Sequence, residues 1–224
     1  MICLYCHKSL DARPDIFSLF KKPNCVCVGC INKLKSKTSQ PTCLRCHNIT
    51  HTPTDECESC SLLKQIFEHV PGRIFSFLEY NEDVAQLIHR YKFVNDAALS
   101  EVIASLIDFD FSRYDIVIPI PISKYRLKER TYNQTSLVLA KLSVPYQDIL
   151  ETTRVARQSE LTKAERLLSK GIFKVKPEAQ EMLFDKKVLL VDDVYTTGIT
   201  VHQALQTIKK HTSENIDVLT FSRS

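Results

Sequence analysis

Between Val188 and Thr200 the chain passes in thirteen residues from an apolar strand, through two carboxylates, to a turn of small hydroxyl residues and into a helix. Lys187 to Val191 reads as a buried strand, and Val201, Ala204, Leu205 and Ile208 return at helical spacing. A strand that feeds a helix through so short a polar segment opens a parallel β–α unit, and ligands of such sheets sit outside the carboxyl ends of the strands. The residues Val194, Tyr195, Thr196, Thr197, Gly198 and Thr200 suit a phosphate. Amides at the start of a helix point at an anion, three threonine hydroxyls add donors, and Gly198 permits positive φ and close backbone approach. Just before this cradle, Asp192 and Asp193 can accept hydrogen bonds from the neighbouring hydroxyls of a ribose 5-phosphate. An acidic pair at a strand end also holds Mg²⁺ in receiver-like domains, but the Thr-Thr-Gly-x-Thr that follows argues against that use.

A second polar constellation follows an earlier strand, Tyr114 to Ile118, and contains Ile120, Lys124, Arg126 and Arg130 before Tyr132-Asn133-Gln134. It supplies cations beside the expected phosphate site. A third stretch, Arg154 to Phe173, is rich in Lys and Arg, contains Gln158, Leu161 and Arg166, and reads as a flap able to close over the site and exclude water. Other elements are a strand at Arg73–Tyr80, a helix through Val84, Leu87, Ile88 and Tyr91, another through Leu99, Val102, Ile103 and Leu106, a helix beginning near Asn133, and a final strand at Ile216–Phe221. Alternating strands and helices imply an α/β domain with a mainly parallel sheet.

All nine cysteines lie in the first sixty residues, eight of them as Cys-x-x-Cys pairs: Cys3/Cys6, Cys27/Cys30, Cys43/Cys46 and Cys57/Cys60, with Cys25 left over. Two such pairs complete a tetrahedron, so eight thiolates fit two structural Zn²⁺ sites; sequential and interleaved pairings satisfy the spacing equally. Residues 1–64 are therefore expected to form a small double zinc-ribbon module and 65–224 the α/β domain, joined by a short helical linker over Ser61–Pro71. The 44% hydrophobic content of the 224-residue chain suffices for such a core. The net charge of +4 resides in residues 1–64, with nine Lys/Arg against five Asp/Glu. Two tetrathiolate zinc centres would offset that excess, so charge alone does not argue for nucleic acid. No stretch approaches the roughly 20 apolar residues that span a bilayer. Met1-Ile2-Cys3 opens no signal peptide, and the grouped cysteines suit a reducing compartment, so a cytoplasmic location without membrane insertion is expected.

The Asp192–Thr200 run resembles the 5-phosphoribosyl 1-pyrophosphate (PRPP) motif of type I phosphoribosyltransferases. The order of the four cysteine pairs, the Pro119-x-Pro121 followed by Arg126, Arg130, Tyr132, Asn133 and Gln134, the stretch with Gln158 and Arg166, and the acidic run is similar to the ComF family over nearly the whole chain. Two residues depart from that pattern: Thr131 stands where glycine usually precedes the aromatic-Asn-Gln, and Leu167-Leu168 where Asn-Val is common. The resemblance implies a phosphoribosyltransferase-type sheet, PRPP bound with Mg²⁺, a strained peptide around Ile120–Ile122 that turns amides toward pyrophosphate, and a role in natural transformation beside single-stranded DNA and a ComFA-like helicase. Two kinds of function follow. In an enzyme, Asp192 and Asp193 would orient the ribose while pyrophosphate leaves, though no general base for the acceptor can be named; nucleotide salvage is one setting for such a reaction. In a non-catalytic adaptor, the pocket would sense PRPP while basic loops and ribbons contact DNA and a partner, with Tyr125, Tyr132 and Phe173 as stacking platforms.

Overall fold

A computed structural model describes residues 1–10, 24–37, 39–153 and 171–223. The expected flap residues Gln158, Leu161 and Arg166, and Leu167-Leu168, lie outside the described residues. In chain order the elements are α1 (Val28–Leu34), α2 (Glu58–Ile66), β1 (Ile74–Glu79), α3 (Glu82–Phe93), α4 (Leu99–Leu106), β2 (Ile116–Pro119), α5 (Lys124–Arg130), α6 (Gln134–Lys141), β3 (Leu150–Thr152), β4 (Phe173–Val175), β5 (Val188–Tyr195), α7 (Ile199–Ile208) and β6 (Ile216–Arg223). Four strands form one sheet in the order β1-β6-β5-β2, every neighbouring pair parallel. β3 and β4 form a separate antiparallel pair.

The helices start where local chemistry favours them. Asn81 Oδ1 accepts the Val84 N–H at 2.8 Å, Glu82 and Asp83 occupy the first turn of α3, and Arg90 and Lys92 the last, each complementing the helix dipole. The predicted stripe Val84, Leu87, Ile88 and Tyr91 is buried, as is Leu99, Val102, Ile103 and Leu106 on α4. Asn133 caps α6 by accepting from Thr135 N at 2.9 Å and Ser136 N at 3.4 Å. α5 ends at Thr131, whose φ of 64° is left-handed. That position suits glycine, and a β-branched residue there carries roughly 1–2 kcal/mol of strain. The glycine usual in the family thus has a backbone reason.

Both faces of the sheet are covered, which is why its central strands read as unbroken apolar runs. Val188 and Leu190 of β5 pack with α7 and the β3–β4 pair; Leu189 and Val191 pack with α3, α4 and α6. The cysteine modules extend these two cores. Cys43, Cys46 and Cys60 join the α7 side, while Cys3, Cys30, Val26 and Leu34 join the opposite side. Tyr5 Oη donates to Asp83 O at 3.0 Å and Arg90 Nη1 to Tyr5 O at 2.7 Å, fastening the first module to α3. Arg45 Nη2 donates to Pro71 O at 3.0 Å in the second. The linker helix begins before the expected Ser61: α2 already carries Cys60, and its Leu63 is buried.

The two modules repeat one another. Cys3-Leu4-Tyr5-Cys6-His7 corresponds to Cys43-Leu44-Arg45-Cys46-His47. In each, the N–H of the first cysteine donates five residues ahead (Cys3 to Lys8 O, 2.9 Å; Cys43 to Asn48 O, 2.8 Å). The histidine after the second cysteine is left-handed (φ 60° and 59°), and a short helix follows Cys27 or Cys57. The signal for this repeat, Cys-Leu-x-Cys-His, was present in the sequence beyond the cysteines themselves.

Candidate functional site

Pairing between β2 and β5 stops at Pro119 and Val191, where Ile120 N still donates to Val191 O at 2.8 Å, whereas β5 continues along β6 as far as Tyr195 and Arg223. One edge of β5 is therefore released at its carboxyl end, and a cleft of about 290 Å³ opens there. Asp192 and Asp193 lie on the extended strand, not after its end at Val191 as the sequence suggested. Asp192 Oδ1 accepts from Asp193 N at 2.9 Å and Asp193 Oδ1 from Val194 N at 2.6 Å.

Of the expected site residues, Ile120, Arg126, Arg130, Asp192, Asp193, Val194, Thr196, Thr197 and Thr200 line this one cleft. Gly198 is the N-cap of α7 at φ 76°. A Cβ there would also stand 2.2 Å from Tyr195 Oη, so packing as well as backbone demands glycine. Tyr195 is buried beneath the loop, and Lys124 opens α5 on an exposed surface; neither lines the cleft. Between Ile120 and Ile122 every peptide is trans and no φ is positive. Of the three aromatic platforms, only Tyr125 is exposed; Phe173 is buried, and Tyr132 stacks on Tyr91 at 5.7 Å and donates to Tyr91 O at 3.0 Å.

Lys92, at the end of α3, was not anticipated. Its Nζ pairs with Asp193 Oδ2 at 2.9 Å, with both side chains largely buried. Arg130 is 5% exposed, with its guanidinium 5.3 Å from the Phe93 ring centre, and burial followed by the nearby Arg126 charge pulls its pKa down. Such a cation favours an anion that enters the cleft. Asn133 joins this side to the sheet, because its Nδ2 donates to Ile120 O at 3.0 Å while its Oδ1 caps α6. Behind the opposite wall, burial lowers the His202 pKa to about 4, so the ring is neutral at pH 7. Its Nδ1 lies 2.9 Å from Gly198 O, an acceptor only, which places the proton on Nδ1.

The cysteine pairs assemble sequentially. Cys3, Cys6, Cys27 and Cys30 form one group and Cys43, Cys46, Cys57 and Cys60 the other, with the sulfurs of each group within 4.8 Å of one another. Cys6 and Cys27 Sγ are 3.8 Å apart, and Cys46 and Cys57 Sγ 3.7 Å. Zn–S bonds of about 2.3 Å in a tetrahedron require sulfurs about 3.8 Å apart, so both groups fit Zn²⁺. Backbone N–H groups of Cys27 and Cys57 donate to Cys3 and Cys43 Sγ at 3.4 and 3.3 Å, which supports thiolate. A hydrogen bond from the Cys60 thiol, aided by the Asn48 backbone and the Arg223 guanidinium, holds the Cys46 pKa below the usual thiol range. Cys25 belongs to neither group; its thiol donates to Glu101 O at 3.5 Å.

Residues 134–223, which include the acidic strand, the threonine loop and β6, match the phosphoribosyl transferase domain family. Over its full length the chain is similar to competence protein ComFC of Bacillus subtilis (strain 168), with 32% identity covering 100% of this chain and 95% of the relative. It is also similar to ComFC of Streptococcus pneumoniae (28%, 99% of each chain) and to competence protein F of Haemophilus influenzae (27%, 99% and 96%). No helix among the described residues is long and apolar enough to cross a membrane. An acidic strand end, a threonine loop and paired tetracysteine groups in one molecule agree with what those full-length identities establish: the chain belongs to the ComFC family of competence proteins.

Proposed function

We propose that the cleft binds PRPP with Mg²⁺ in the service of DNA uptake during natural transformation. The observation that carries this reading is the convergence on one cleft of a carboxylate pair, a hydroxyl-rich helix N-terminus and two arginines. The 5-phosphate would take the amides and hydroxyls of Thr196–Thr200, the ribose hydroxyls Asp192 and Asp193, and the pyrophosphate the Ile120 loop with Arg126 and Arg130, with Lys124 at its rim. Carboxylate oxygens suit Mg²⁺, which would neutralise pyrophosphate charge when bound. In this reading residues 1–64 are a double zinc-ribbon module and 65–224 the phosphoribosyltransferase-like domain, the division falling within α2. The protein would act in the cytoplasm beside a ComFA-like helicase on single-stranded DNA.

One observation favours a binding role over turnover. Among the described residues the ionisable groups lining the cleft are Lys92, Arg126, Arg130, Asp192 and Asp193; with both carboxylates given to ribose and Mg²⁺, no further group there is left to take a proton from an acceptor. Pyrophosphate release from PRPP, measured with free bases, nucleotides and single-stranded DNA in turn, separates the two: an acceptor-dependent burst makes the protein a transferase, and silence with all of them makes PRPP an effector.

Single-stranded DNA, if it uses the same cations, competes with PRPP. Binding should fall steeply with salt, since neutralised phosphates release condensed counterions. Arg126→Ala with Arg130→Ala should weaken both ligands and flatten that salt slope by roughly 0.7 per lost contact, whereas Asp192→Asn should weaken PRPP alone. Fluorescence anisotropy of a labelled oligonucleotide against salt and PRPP reads all three. Full DNA affinity in the arginine double variant would move the DNA surface away from the cleft.

A further inference from the structure

Arg223, the last described residue, lies against both the phosphate loop and the second tetracysteine group. Its side chain is 7% exposed. Nε donates to Cys46 O at 3.1 Å and Nη2 to Cys46 Sγ at 3.7 Å. Nη1 donates to Tyr195 O at 2.6 Å and also to Thr196 O. The guanidinium further stacks over the Tyr195 ring at 4.8 Å from its centre. One planar cation therefore holds a metal-ligating residue on one side and the first two carbonyls of the loop on the other. Those carbonyls fix the peptide planes that open the Thr196–Thr200 turn, and the orientation of that turn decides whether its amides face the cleft. Tyr195, clamped by the same cation, fills the space that Gly198 leaves under the loop.

We propose that Arg223 is a positioning residue through which occupancy of the Cys43/Cys46/Cys57/Cys60 centre sets the shape of the phosphate loop, and hence PRPP affinity. The proposal rests on the phosphate reading of that loop. Without zinc, the Cys46 thiolate is no longer fixed, and a buried guanidinium that loses two of its acceptors must move or draw in water. Either change frees the Tyr195 and Thr196 carbonyls. The first cysteine group, on the other face of the sheet, has no comparable bridge to the cleft among the described residues. Coupling between two sites is reciprocal, so PRPP must raise the affinity for the second zinc by the same factor as that zinc raises the affinity for PRPP.

The test uses the zinc-loaded full chain. With PRPP and Mg²⁺ present, equilibrium competition with a chelator should resolve two sites, one of the two ions held about tenfold or more tightly than without PRPP and the other unaffected. Arg223→Met should lower PRPP affinity by a similar factor while retaining two zinc ions, and Arg223→Lys, which restores the charge but not the fork, should recover only part of it. Amide hydrogen exchange across Thr196–Thr200 should rise in Arg223→Met, and likewise in Cys57→Ser, which removes a ligand of that centre and leaves Arg223 in place. This exchange is read without ligand, so it separates two failures. Wild-type protein that does not bind PRPP overturns the reading of the cleft, whereas unchanged loop exchange in both variants, or zinc affinities at both centres that PRPP leaves unchanged, overturns the role of Arg223.

Discussion

Changing Asp192 and Asp193 together to Asn should abolish measurable PRPP binding while leaving the fold intact. Both carboxylates stand on β5, whose position comes from backbone pairing to β6 and not from the side chains. The amides keep shape and one acceptor each but lose the anions that would face ribose hydroxyls and Mg²⁺. A hydrogen bond to a charged group contributes about 1.5–3 kcal/mol, so losing two such contacts costs about 3–6 kcal/mol, roughly 10² to 10⁴ in affinity. The variant also strips Lys92 of its partner at 2.9 Å, in a cleft that already holds Arg126 and Arg130. Inorganic phosphate, which has no ribose, should therefore bind no more weakly than it does to wild type. Calorimetry with both ligands decides the matter: PRPP affinity unchanged in the double variant places the ribose elsewhere.

Removing zinc should have an effect of the same order on the fold. The described part of the N-terminal modules contains the short helices α1 and α2 and three isolated β-bridges, too little to build a core alone. Structural zinc contributes about 10–16 kcal/mol of apparent binding free energy, comparable to the whole stability of an ordinary domain. The loss would not stay local, because Cys3 and Cys30 belong to the core on one face of the sheet and Cys43, Cys46 and Cys60 to the core on the other. Metal analysis should find two zinc ions per chain. Stringent chelation should lower the melting temperature of the entire protein and raise amide exchange at α3, where Tyr5 and Arg90 fasten the first module. Acidification should release the metal, since thiolates must take up protons as it leaves. An unchanged melting curve after chelation would contradict this account.

The parts of the structure that could be read from sequence are those where one physical pattern dominates. Helices α3 and α4 follow directly from apolar spacing, and α6 from Asn133 as its cap. β5 was recognisable as a strand but not in its full length, because polar residues at a strand's end look the same whether or not a neighbour continues to pair with them; here β6 does. β3 and β4, three residues each, carry too little periodicity to detect. Lys92 reads as an ordinary solvated lysine in the last turn of a helix, and only the approach of α3 to the end of β5 places it beside Asp193. Arg223 lies 177 residues from Cys46, a separation that no local pattern bridges. Sequence spacing left the cysteine pairing open, and only the grouping of the sulfurs in space resolves it as sequential.

We propose that the cleft at the carboxyl end of β5 is a PRPP site. It is tested most directly by calorimetric titration of the zinc-loaded wild-type protein with PRPP, with and without Mg²⁺, against ribose 5-phosphate and pyrophosphate. Saturable binding of one PRPP per chain that weakens when Mg²⁺ is withdrawn is expected, with each fragment binding more weakly than the whole. Absence of binding at millimolar PRPP with Mg²⁺, or equal affinity for PRPP and pyrophosphate, would contradict the proposal.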